Sequence, residues 1–408
     1  MSAILPRHSS SVRYLRISGF LSTRPPPKNE LHRVLHQAIE SFTQLQSVSF
    51  LPIVYHEDIF VQPLKILRQR PTIEELAVNA SCYDAFEGFN SKPSSGLATL
   101  NEEEAEEEEP AITKIELLTS FRNLKKLALH DPSRAILQAL VPGWLNALSG
   151  TLTHLHLIGN CGSITPGVLR SAIPHLERIR SLTIGLSYSL TDQDVFTALS
   201  QLPNLQALCI NYYLQNTSPA RFAPLRQLQS LTVCYGRPET RRERDSLCKW
   251  VRKAVYASPL ERLYLEDDSD EGLEYGANLS FEPLIRHLIA VHASRLKVLD
   301  MRTSYVGVAG FRMLCLECRA LEEMALAVDR NTLDLFMDCG SDLTTLHTAT
   351  FIIYNSKRAK RDIDDELAYG IITSAPKLRR LTVNDRKWEG SWICNEDGVA
   401  EFRVTRTK

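Results

Sequence analysis

His32-Arg-Val-Leu-His36 sets two imidazoles one helical turn apart, a spacing by which a helix can offer two nitrogens to zinc. The glutamate of the H-E-x-x-H pattern is missing, so an ordinary helix surface is expected there. Cys315-x-x-Cys318 has the spacing of half a thiolate zinc site or of a redox pair, but no second pair accompanies it. Glu266-Asp-Asp-Ser-Asp-Glu271-Gly272 resembles a calcium loop whose glycine falls one position late and whose terminal glutamate is out of place. No phosphate-binding glycine loop, dinucleotide fingerprint, G-x-S-x-G elbow or kinase signature occurs. The expectation is a chain that is not an enzyme, with no catalytic residue, no cofactor and no metal.

Two basic runs carry a different chemistry. Arg241-Arg242-Glu-Arg244 opens a helical stretch that continues to Lys249, Arg252 and Lys253, and reads as a solvated outer helix face. Lys357-Arg358-Ala-Lys360-Arg361 has the composition of a nuclear-import tag, although Asp362-Ile-Asp-Asp-Glu366 follows at once.

The elements that must position any of these residues come from a repeat. The pattern L-x-x-L-x-L returns as Val12/Leu15/Ile17, Leu45/Val48/Phe50, Ile73/Leu76/Val78, Leu124/Leu127/Leu129, Leu152/Leu155/Leu157, Ile179/Leu182/Ile184 and Leu205/Leu208/Ile210. It continues as Leu228/Leu231/Val233, Leu260/Leu263/Leu265, Leu296/Leu299/Met301, Leu321/Met324/Leu326, Leu343/Leu346/Thr348 and Leu378/Leu381/Val383. About thirteen copies stand about 22 to 36 residues apart, with one wider gap. The L-x-L half alternates with period two, which predicts a short strand with one buried face. Helical spacing follows it, as in Val168/Leu169/Ala172/Ile173 and Val195/Phe196/Leu199/Leu202, with Thr191 and Asp194 placed as a capping box. A single strand–helix unit cannot bury its own apolar face, whereas a stack shares one core.

The predicted fold class is therefore α/β: a leucine-rich-repeat solenoid, or horseshoe, of irregular repeats. Parallel strands are expected on its concave side and helices on its convex side. One solenoid is expected over residues 1–408, interrupted by a disordered acidic insertion at 79–113 and closed by a C-terminal cap at 384–408. The insertion contains Ser91-Lys-Pro-Ser-Ser-Gly96 and the run Glu102–Glu109, and gly/ser/pro-rich sequence followed by like charges has nothing to bury. Pro25-Pro26-Pro27 reads as a stiff connector that starts a helix. Towards the C-terminus the repeat fades around Trp388, Trp392 and Phe402.

Several units carry a narrower pattern. Leu155-His-Leu157-Ile-Gly-Asn160-Cys161 leads through Ile164-Thr165-Pro-Gly167 to Pro174-His-Leu176, and Leu190-Thr191-Asp192 leads to Leu202-Pro203-Asn204-Leu205. Gly310-Phe311 runs through Cys318 to Leu321. Cysteine after the strand, a Thr-Asp-like helix start and Cys or Pro ahead of the next leucine resemble the cysteine-containing class of leucine-rich repeats, best known from fungal F-box proteins. That resemblance implies protein-binding repeats, related to substrate recognition by an SCF-type ubiquitin ligase. In that family an N-terminal helical F-box binds the adaptor. Here the first strand is reached by Val12, so the expectation is a repeat protein lacking the box, with an adaptor as partner only if a box lies upstream.

Composition is consistent with this reading. Hydrophobic residues make up 44% and charged residues 23% of the 408, and the formal net charge of −1 gives no general field for nucleic acid or an anionic membrane. Neither a signal peptide nor a membrane-spanning apolar run is apparent. Nine scattered cysteines read as thiols of a reducing compartment, cytoplasm or nucleus. The expected partner is a protein, bound on the concave face through the strand positions between the leucines. Alternation picks out Tyr14, Arg16, Lys126, His154, His156, Arg262, Tyr264, Glu266, Asp300, Arg302, His347 and Arg380, with His130 and Asn211 beside them. Small residues such as Ser181/Thr183 and Ser230/Thr232 lie between. Aromatic and arginine side chains are typical interface anchors, and a face of mixed sign suits a protein better than a phosphate backbone.

Overall fold

A computed structural model describes residues 8–19, 28–52, 61–79, 114–213, 221–268, 279–353, 363–394 and 396–407. The chain divides into two compact units, the first formed by residues 1–190 with 201–204, the second by 191–200 with 205–408. Pro25–Pro27, the acidic run Glu102–Glu109, residues 269–272 of the calcium-like sequence and Lys357–Arg361 lie outside the described residues.

In the first unit six strands run parallel in chain order: β1 (Tyr14–Gly19), β2 (Ser47–Pro52), β3 (Glu75–Asn79), β4 (Lys126–His130), β5 (His154–Asn160) and β6 (Ser181–Leu186). In the second, β7 (Ala207–Tyr212), β8 (Ser230–Tyr235), β9 (Arg262–Asp267), β10 (Val298–Tyr305), β11 (Glu323–Val328), β12 (Thr348–Ile353) and β13 (Arg380–Val383) repeat the arrangement. Helices or helical turns separate most successive strands. Register is set by the leucines: Val48, Leu76, Leu127, Leu155 and Leu182 stand side by side, as do Leu208, Leu231, Leu263, Leu299, Met324, Ala349 and Leu381. These residues are buried while their neighbours along each strand, Val298 excepted, are half-buried or exposed. Burying one such side chain is worth about 1.5–3 kcal/mol, and a one-residue slip would turn the row to solvent.

Two expectations change in register. The copy read as Leu343/Leu346/Thr348 is framed three residues later, because Ala349 and Phe351 align with Met324 and Leu326. Alanine in a leucine place hid this frame. Asn79, assigned to the insertion, instead ends β3 opposite His130.

The helices start where short polar side chains can cap them. Thr165 accepts from the Val168 N–H, and Thr191/Asp194 and Thr240/Glu243 form capping boxes. Antiparallel strands β14 (Arg386–Cys394) and β15 (Ala400–Thr407) follow β13. Trp388 is buried on the hairpin and its indole N–H donates to Asp365 Oδ1 at 2.8 Å, whereas Trp392 stays exposed against Phe402.

After β5 the chain turns back tightly. Gly159 has φ of +79°, Asp131 accepts from the Asn160 N–H at 2.9 Å, and the Cys161 N–H bonds to the Leu186 carbonyl at 2.8 Å. A Cβ on Gly185 would sit 2.3 Å from the Gly159 carbonyl oxygen and 3.0 Å from Cys161 Sγ. Backbone cannot yield as a flexible side chain can. Gly185→Ala is expected to lower unfolding free energy by about 1–3 kcal/mol, read by urea denaturation. Gly143→Ala, where no atom lies within 4 Å of the added Cβ, should cost clearly less.

Candidate binding face

Parallel pairing converts the outward positions of each strand into rows across the sheet, so residues far apart in sequence become neighbours. In the first unit one row reads Tyr14, Ser47, Glu75, Lys126, His154, Ser181, and the next reads Arg16, Ser49, Ala77, Ala128, His156, Thr183. Lys126 Nζ lies 2.5 Å from Glu75 Oε1. Burial works to raise the Glu75 carboxyl, but hydrogen bonds from Lys126 and Ser47 and the charges of Lys126 and His154 hold it below its ordinary value. His156 Nδ1 meets Thr183 Oγ1 at 2.7 Å, and His154 Nδ1 meets Thr153 Oγ1 at 2.8 Å. The two rings are 6.3 Å apart.

Three imidazoles on this face resist protonation. Burial lowers His156, helped by His154, Lys126 and His130. It also lowers His154, with Lys126 and Arg180 adding to it and Glu75 opposing. His130 is lowered by burial and by Arg16, against Asp131. Tyr14 and Arg16 are exposed on β1.

In the second unit Arg262, Tyr264 and Glu266 alternate along β9, and Tyr264 pairs in register with Asp300 of β10. Asp300 holds Arg302 through Nε at 3.0 Å and Nη2 at 2.8 Å, a two-pronged pair that raises the guanidinium pKa. Glu266 Oε2 is 3.9 Å from Cys234 Sγ. Asn211 donates to Asp268 at 3.0 Å, and Arg237 to Asp267 at 3.0 Å. Burial raises the Tyr264 phenol, Arg262 opposes this, and Glu323, Asp300 and Glu266 add to it. The phenol therefore remains a neutral donor. Arg380 lies on β13 in the row of Thr348 and Glu323. His347 stands one residue before β12, which starts at Thr348: its N–H donates to the Glu322 carbonyl at 2.9 Å, its carbonyl accepts from the Arg379 and Arg380 N–H groups, and its ring meets Thr348 Oγ1 at 3.0 Å.

The ladder thus gathers Lys126, His154 and His156 in one unit, and Arg262, Tyr264, Glu266, Asp300 and Arg302 in the other. Glu75 and Glu323 belong with them and were missed. Both occupy the same repeat position as Lys126 and Arg262, so the signal was in the sequence. Among the described residues no group of three or more His, Cys, Asp and Glu could hold a metal ion. Cys315 and Cys318 are buried thiols; a hydrogen bond with Cys339 and then burial raise Cys315, and burial raises Cys318. Among the described residues no helix is long and apolar enough to cross a membrane.

Repeating sequence and repeating geometry together define the class: a leucine-rich-repeat fold of the α/β solenoid kind. No family model matches the chain, and no curated protein matches it. Solved structures with similarity include Rad7 in a yeast Rad7–Elc1 complex, at 14% identity and TM-score 0.42, over 89% of each chain. The leucine-rich-repeat protein LegL7 of Legionella pneumophila aligns at 12% identity and TM-score 0.35, over 94% of this chain and 92% of that one. TLR13, solved in complex with ssRNA13, aligns at 14% identity and TM-score 0.37, over 92% of this chain and 50% of its own.

The histidines yield a pH prediction. Their folded pKa values lie below the unfolded value of about 6.5, so the unfolded chain binds more protons as pH falls. Stability should be complete above about pH 6.5 and decline below it. Thermal unfolding of the whole chain is expected to show a lower midpoint at about pH 5.5 than at about pH 7.5. His156→Gln should reduce that difference; an unchanged difference would remove His156 as a contributor.

Proposed function

We propose that the chain is a protein-binding module that receives its partner on the strand face, not a catalyst. The observation that carries this is the row system on β9 and β10. Arg262 is exposed and Tyr264 half-exposed, side by side on rigid strands, flanked by Glu266, Asp300 and Glu323. An arginine and a tyrosine on a fixed backbone lose little entropy on binding and offer both apolar area and directed hydrogen bonds. The surrounding carboxylates favour a partner that brings donors or cations, and disfavour a phosphate backbone.

The finer reading is substrate recognition related to an SCF-type ubiquitin ligase. It is supported by the resemblance of the Cys161, Thr191 and Cys318 repeats to cysteine-containing repeats of F-box proteins.

The test is affinity purification of the tagged protein from its own cells, with mass spectrometry of what accompanies it. A reproducible partner is expected, and the double variant Arg262→Ala/Tyr264→Ala should weaken it by about 2 kcal/mol or more, the scale of an interface hot spot. Full retention of every partner by that variant would remove β9 from the interface. Adaptor and cullin subunits among the partners would support the ligase reading. A partner lost on the double substitution, with neither subunit present, would leave a stand-alone binding scaffold.

A further inference from the structure

On the helix side of the second unit a groove of about 720 Å³ opens beside the Arg241–Val255 helix. Asp245, Lys249, Arg252, Lys253 and Tyr256 all line it. Their spacing of four, three, one and three residues lays them along one helical stripe. Arg221 adds a fourth cation, and Pro283 and His287 of the Glu282–His292 helix form the opposite wall. The floor is apolar and fixed. Phe222 is buried, stacked on Phe196 at 4.1 Å and edge-on to Trp250 at 5.8 Å. Tyr256 Oη donates to the Phe222 carbonyl at 3.5 Å.

Four cations line this groove against one carboxylate. Asp245, its one carboxylate, is held by Arg244 at 2.8 Å. Among the described residues no carboxylate forms an ion pair with Arg221, Lys249 or Arg252. Lys249 and Lys253 stand at i and i+4, a like-charge pair that weakens a helix. Lys253 also lies 5.5 Å from the Phe222 ring centre, which places a cation over an aromatic floor. His287 Nε2 is buried and without a hydrogen-bond partner, and burial together with the charge of Arg252 keeps its imidazole neutral. Elsewhere on this unit exposed cations find carboxylates, as Lys297 does with Glu261 and Arg286 with Glu282. Net charge over the whole chain is −1, so this concentration is local.

We propose that this groove is a second docking site, for an acidic segment of a partner protein that sets a large apolar side chain against the exposed Tyr256, over the buried Phe222, and its carboxylates against Arg221, Lys249, Arg252 and Lys253. Charge complementarity selects the occupant. The apolar floor asks for more than a bare anion. A nucleic acid would need cations spread along a longer track. A membrane surface would need protruding apolar side chains, and the apolar residues of this helix, Leu247, Trp250, Val251 and Val255, are buried. The site does not depend on the strand-face reading, since its residues lie on two helices and at positions 221–222 of the segment before β8, and none belongs to the β9 or β10 rows.

The experiment uses the full chain and a fluorescent peptide of alternating glutamate and leucine with one tryptophan, followed by anisotropy. Binding is expected at low ionic strength and should weaken as salt rises. Lys249→Glu/Arg252→Glu changes two exposed side chains, and its circular dichroism should match the parent. Its affinity for the peptide should fall at least about tenfold, because two attractions become repulsions. Arg262→Ala/Tyr264→Ala should bind the peptide as the parent does. Equal binding of a peptide with glutamine for every glutamate would overturn the proposal, as would undiminished binding by the charge-reversed variant. Tighter capture of a single-stranded RNA, or of phosphatidylserine vesicles, than of the peptide would overturn it in favour of those ligands.

Discussion

The apolar side of a strand–helix repeat has nowhere to go except against the next repeat, and this constraint organises the molecule. Leu127, Leu155 and Leu182 are buried because each completes the core of its neighbour, not because any one repeat encloses them. Parallel pairing follows, since every strand must re-enter the sheet on the same side after its helix. Rows of outward residues then follow from pairing. The groups with binding character, Arg262 and Tyr264 beside Asp300, are neighbours only because the buried leucines behind them are in register.

The departures from the repeat show the same constraint under strain. Where β5 ends, the chain must turn while a neighbouring strand is still close: a Cβ on Gly185 would meet the Gly159 backbone, and one on Gly159, whose φ is +79°, would meet the Asp131 carboxylate. In β12, alanine at 349 occupies a leucine place, and the buried Phe351 lies edge-on to Phe311 and Phe336. Past β13 no further repeat follows in the sheet. The antiparallel hairpin of β14 and β15 pairs there instead, with Trp388 beside Leu381.

Polar chemistry is distributed unevenly between the two sides of the second unit. On the strand face cations and carboxylates answer one another, as in Arg302 with Asp300 and Arg237 with Asp267. In the groove beside the Arg241–Val255 helix, Arg221, Lys249 and Arg252 have no carboxylate ion pair among the described residues. Reading that helix as a solvated face accounted for the exposure of Lys249 and Arg252, but not for their gathering around Phe222. The phenylalanine comes from a segment before β8 and the opposite wall from the following helix, and helical periodicity within one element carries no information about either.

Fold class, strand direction and the outward positions were legible from the sequence, because a period of two against a recurring leucine spacing has one packing solution. Lys126, His154, Arg262 and Tyr264 could be named as outward-facing from alternation alone, and Glu75 and Glu323 could have been by the same rule. Which of them touch was not legible. Cross-strand neighbours are set by register, and register at β12 turned on an alanine that carries no pattern signal, which left His347 one residue before the strand. Depressed protonation of His156 and the gathering of four cations around the helix groove likewise belong to tertiary structure alone, since desolvation and Coulomb interaction depend on distances that sequence spacing does not encode.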